Sequence, residues 1–130
     1  MAFRLFSSDD NRTPGIEYLP AGAITPKIGM ALTQSAGKLA LATGTTKPVY
    51  ISMCERESAC TAGDIIPVIR VGSDMIFETV FSASAADLSL GSKVTLASDA
   101  LRVTATTASG VAEVVYMDGT ASGSMCRVRF

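Results

Sequence analysis

Histidine and tryptophan are absent from this chain of 130 residues, and only 18% of it is charged. The missing imidazole excludes Ser-His-Asp and Cys-His nucleophile pairs and the HExxH zinc site, each of which needs a ring nitrogen as base or ligand. Gly37-Lys38 has neither the glycine loop before it nor the Ser/Thr after it that a phosphate-binding loop requires, and no GxGxxG occurs. A glycosidase needs two carboxylates a few ångströms apart, one of them buried. The acids here sit mostly in turns and charge-mixed patches (Asp9-Asp10, Glu55-Arg56-Glu57, Asp99, Asp118). The two on strands, Glu78 and Glu113, alternate with apolar neighbours and read as marking outward faces. The expectation is a protein that is not an enzyme, with no catalytic residue, cofactor or metal.

Clustered cations are missing too. The formal net charge is −1, with Lys and Arg scattered singly, whereas nucleic-acid binding draws on cation clusters that displace counterions from phosphate. An oligonucleotide-binding barrel stacks bases on exposed aromatics in a positive groove; here Tyr50, Phe77, Phe81 and Tyr116 read equally well as core. No apolar run approaches the roughly 20 residues that a membrane span needs. The opening "MAFRLFSSDDNRTPG" has no continuous apolar h-region, so no secretory signal is expected. Cys54, Cys60 and Cys126 cannot all pair within one chain, and the "CERESAC" spacing does not suit zinc. Reduced thiols in a cytoplasmic setting follow.

What is present is a succession of short apolar runs broken by turns. The 48% hydrophobic content of a 130-residue chain suits one domain with a real core. From Ala23 onward "KLALA", "PVYISM", "GDIIPVIRV", "SDMIFETVF", "KVTLAS", "ALRVTAT", "VAEVVYM" and "MCRVRF" read as strands, with one helical turn near Ala85 to Leu88. Pro67, inside the third of these runs, predicts an edge strand or a bulge. The fold class is all-β, a small barrel or sandwich.

The strands echo one another. "IGMALTQSAGKLALATGTTKPV" returns in looser form as "LGSKVTLASDALRVTATTASGV": Gly29 with Gly91, Thr33 with Thr95, Leu39 with Leu101, Thr45 with Thr107 and Val49 with Val111 all lie 62 residues apart. A two-residue deletion then aligns "AGDIIPVI" from Ala62 with "SGSMCRVR" from Ser122. Two pseudo-repeated strand-rich halves are therefore expected, with Leu39 and Leu101 in equivalent buried places, packing into a closed or nearly closed barrel.

Residues 1–20 differ in character from residues 21–130. Large apolar anchors (Phe3, Leu5, Phe6, Ile16, Tyr18) surround a polar, turn-rich middle containing Asn-Arg-Thr-Pro-Gly, which breaks any helix. This predicts an extended N-terminal arm that lays its anchors on a neighbour, outside a domain whose core does not need it.

The run "AGAITPKIGMAL" into "GKLALATGTTKPVYIS", then "AGDIIPVIRV", resembles the small β-barrel decoration, or cement, proteins on the capsids of tailed bacteriophages. "CERESAC" has no counterpart in that pattern. The resemblance implies a structural virion protein on the outer capsid surface, made in the host cytoplasm, whose arm crosses to a neighbour. Its implied partners are the major capsid protein and further copies of itself, with a trimer favoured, and neither nucleic acid nor membrane. The interface would then fall on Phe3, Leu5, Phe6, Ile16 and Tyr18. Two other readings fit the same residues: a tail or fibre component, and a cellular ligand-binding barrel.

Overall fold

β-Branched and aromatic residues alternating with small or polar ones form strands wherever Gly, Asp or Ser lets the chain reverse. The computed structural model describes residues 2–8 and 14–130, and within them ten strands form. They are β1 (Arg4–Ser7), β2 (Ile16–Pro20), β3 (Ala31–Ser35), β4 (Lys38–Leu41), β5 (Tyr50–Ser52), β6 (Ile65–Arg70), β7 (Ile76–Val80), β8 (Lys93–Val94), β9 (Ala112–Met117) and β10 (Met125–Arg129). No helix is found among the described residues; Ala85–Leu88 is a turn in which Leu88 N–H donates to Ala85 C=O at 3.0 Å. "ALRVTAT" is not a strand either: it is tied to its neighbours by bridges at Val103 and by separate bonds, among them Thr104 N–H to Thr95 C=O and Thr79 Oγ1 to Leu101 C=O.

Every ladder is antiparallel, and the strands make two five-stranded sheets, ordered β1-β7-β10-β9-β8 and β2-β6-β5-β3-β4. The arrangement is consistent with a β-sandwich and is not the closed barrel that the sequence also allowed. Closure needs the outer strands of a sheet to pair along their length. In the second sheet they meet only at a single Ala21–Leu39 bridge, and Gly44–Leu96 joins one sheet to the other.

The repeat is written into the hydrogen bonds. β2, β6, β5 and β3 stand in the same order as β7, β10, β9 and β8. Gly29 N–H donates to Ser52 C=O as Gly91 N–H does to Val114 C=O, both at 2.8 Å. Val49 N–H donates to Leu32 C=O as Val111 N–H does to Val94 C=O, both at 2.9 Å. Around the turns before β6 and β10, Ala21 exchanges bonds with Gly63 and Asp64 as Phe81 does with Gly123 and Ser124. The same places are buried: Ile66 and Val68 in β6, Cys126 and Val128 in β10.

Two expectations need correction. Leu39 is fully buried in β4, but Leu101 is only half-buried. The counterpart of Leu39 is Val103: Ala21 bridges Leu39 in parallel, as Phe81 bridges Val103. The second half reaches that place through a tight reversal in which Asp99 accepts from Leu101 N–H and Arg102 Nε, with Ala100 at φ 58°, and this shifts the register. Pro67, in turn, lies on an interior strand with no bulge. Its carbonyl accepts from Met53 N–H at 3.0 Å, so its missing donor falls where β5 has already ended at Ser52.

Candidate binding surface

Of the residues expected as an arm, 4–7 and 16–20 lie along this chain's own sheets, and the turn-rich middle at 9–13 lies outside the described residues. β1 pairs with β7 (Arg4 opposite Glu78, Leu5 opposite Phe77) with a register shift before Ser7, and β2 pairs with β6 in regular register from Ile16–Ile69 to Pro20–Ile65. Phe3, expected as an interface anchor, lies in this chain's own core. It is 2% exposed, and its ring stands edge-on to Phe130 at 5.4 Å between centroids, with Phe77 5.6 Å beyond Phe130. Phe3 N–H donates to Gly29 C=O at 3.0 Å. Apolar rings this large gain more from the core between the sheets than from solvent.

Glu78, expected to mark an outward face, is covered there. It lies opposite Arg4 and Arg127, and both guanidinium groups bind its carboxylate, Arg127 Nε at 2.9 Å, while its side chain is only 8% exposed. Hydrogen bonds from Arg4 first, and from Arg127, hold its carboxyl below the usual carboxylate range, against the opposing effect of burial. Arg127 also stacks 3.7 Å from the Phe6 ring centroid and 4.5 Å from that of Tyr116. Phe6 and Arg4 thus fasten β1 across β7 and β10, with Phe6 still half exposed.

Of the five anchors, Leu5 packs partly buried against the core, and Ile16 and Tyr18 stand 52% and 67% exposed on β2. The register sets Ile16, Ile69 and Ile51 in one row across three strands. Between that row and residues 2–5 runs a groove of about 420 Å³, also lined by Pro14, Ile28, Gly29 and Met53. Its lining is apolar except for Arg4, whose guanidinium is bound to Glu78. Ile28 and Met53, which the sequence reading passed over, are exposed at its rim. Their apolar character was visible in sequence; their nearness to Ile16 depends on the long-range pairing of β2 with β6 and was not.

The cysteines are free thiols, Cys60 and Cys126 buried and Cys54 half-buried. Burial pushes the Cys126 thiol up to about 12. The 54–60 loop is pinned by Cys60 N–H to Ile24 C=O, Arg56 N–H to Pro26 C=O, and an Arg56–Asp64 pair at 3.1 Å. Among the described residues no three His, Cys, Asp or Glu side chains gather as a metal site.

Fold and surface together define an all-β, two-sheet domain with an apolar groove beside its N-terminal strands. Comparison with protein-family models and with curated proteins finds no match for the chain.

Proposed function

We propose that this chain is a structural virion protein, a decoration or cement protein that binds the major capsid protein on the outer surface of a phage head and stabilises the shell. The observation that carries this reading is the groove with Ile16, Ile28 and Met53 exposed around it. Such a surface is suited to contact by shape and apolar burial rather than to orienting a reactive group. The capsid as partner rests on the sequence resemblance. Repeated over a symmetric shell, modest individual contacts add up to firm attachment.

A second reading has one observation in its favour: about 420 Å³ lies within the range of small-ligand sites. Such sites also carry a few convergent polar groups, and the one charged side chain here is already paired with Glu78. Mixing the protein with phage heads stripped of accessory proteins, then counting bound copies, tests the proposal. Ile28→Asp and Met53→Asp are expected to abolish binding while leaving thermal melts unchanged. Attachment to tails alone, or no attachment together with a small molecule retained in native mass spectra, refutes it.

A further inference from the structure

A sheet edge offers unpaired N–H and C=O groups, and edges are ordinarily guarded by cations, bulges or short length. Three of the four edges here follow that rule. β1 carries Arg4 and an irregular register, β8 has two residues and includes Lys93, and β4 carries Lys38 and is partly met by Ala21. β2 is the exception. It is the longest edge strand, regular in register, and its one charged residue, Glu17, is held by Arg70 through two bonds of 3.0 Å. The internal repeat sharpens the contrast: β7, its counterpart, is covered by β1, while among the described residues β2 has no strand beyond it.

Which groups face outward follows from alternation. The Pro67 carbonyl points toward β5, so Ile66 and Val68 point toward β2 and bond to Leu19 and Glu17. Ala21, two residues on, bonds inward as well, to Asp64 and Gly63. The N–H and C=O of Ile16 and Tyr18 therefore face out. Pro20 has no N–H to offer, and Ala21 beyond it is bridged to Leu39.

We propose that the outer edge of β2 pairs antiparallel with β2 of a second copy of this chain, about a two-fold axis between the two Glu17 residues. In this register Ile16 lies opposite the partner's Tyr18 and Tyr18 opposite the partner's Ile16. Each pair exchanges two hydrogen bonds, so all the outward groups of both residues are used. A shift centring the axis on Tyr18 would instead set Ile16 against the partner's Pro20 and waste a bond. The two most exposed side chains of β2 become cross-strand neighbours at the rim of the apolar groove. On the other face the two Glu17 carboxylates meet; each brings its own Arg70, so the pairing depends on that arginine. The inference is independent of the capsid reading, and a two-fold pair replaces the trimer that the resemblance implied.

Sedimentation and light scattering of the full chain are expected to show reversible pairing of the 13.5 kDa protomer in the ~100 μM range. Tyr18→Pro removes the outward N–H and the exposed ring but no bond to β6, so the melt should stay while the dimer dissociation constant rises about tenfold or more. Tyr18→Lys, which keeps the backbone intact, should do the same through edge charge. Arg70→Ala should weaken the dimer and Glu17→Gln in the same chain restore it, a rescue that mere loss of packing would not give. A monomer at these concentrations, a trimer, or a dimer indifferent to both Tyr18 variants overturns the proposal.

Discussion

Phe3→Ala separates a core residue from an arm residue more cleanly than any other single change. The ring is buried at 2% exposure, edge-on to Phe130 and one ring removed from Phe77. Truncating a Phe in such a place costs about 3–5 kcal/mol through lost transfer energy and the cavity left behind, of which the aromatic pair accounts for roughly 0.5–1.5 kcal/mol. Against the roughly 5–15 kcal/mol stability of ordinary domains, this is a large share, equivalent to a fall in Tm on the order of 10 °C or more. Were residues 2–7 to detach as a unit, the loss would be limited by the free energy of docking that segment. Deleting residues 2–7 should therefore cost at least as much as Phe3→Ala. Urea unfolding and calorimetry on parent, Phe3→Ala and the deletion measure all three. A Phe3→Ala midpoint within error of the parent would place Phe3 outside the core and return it to an arm that serves a neighbour.

Glu78→Gln should lower Tm at pH 7 and converge with the parent in acid. The carboxyl is depressed in the folded state by Arg4 and Arg127, so its contribution is complete above the ordinary unfolded value of about 4.3 and is lost as pH falls through the folded one; a difference that persists unchanged to pH 2 contradicts this. Gly29 and Gly91 occupy equivalent turns at φ 82° and 94°, yet they should respond differently to alanine. At Gly91 nothing lies within 4 Å and only left-handed strain of roughly 1–2 kcal/mol applies, whereas at Gly29 the new methyl meets Ala2 Cβ and Phe3 O at 2.5 Å and displaces the N-terminal segment; equal melts would deny that packing. In timed alkylation at pH 8, half-buried Cys54 should react first and Cys126, buried and raised to about 12, last, as peptide mapping would show.

Local rules made the strand content legible, and they failed where pairing partners decide. Alternation and turn residues located β4 to β10 within a few residues, because those signals reside in consecutive side chains. Pro67 misled because the cost of a missing N–H depends on where the neighbouring strand stops, and Ser52 lies far away in sequence. Glu78 misled because alternation assigns a face without saying what lies over it; Arg4, which covers it, is 74 residues distant. The arm segregated clearly in composition, yet Phe3 is drawn inward by Phe130 at the opposite end of the chain.

The repeat shows how a weak echo in sequence can be a strong one in space. The halves share few identities, because hydrogen-bond geometry constrains backbone and burial and leaves side-chain identity free. Gly29 and Gly91 persist since both turns need positive φ. Tyr18 and Glu78 diverge at the same place in the repeat, and the reason lies in β1. On β7 the added strand brings Arg4 over the outward position, and a carboxylate there gains a partner. On β2 no strand is added, and an uncovered glutamate would gain nothing there, while the amphipathic ring of Tyr18 tolerates solvent and still offers a large face for contact. One short strand laid on one half thus breaks the symmetry of the whole domain. It locks the β7 edge with charge and leaves β2, beside the groove, as an edge strand among the described residues.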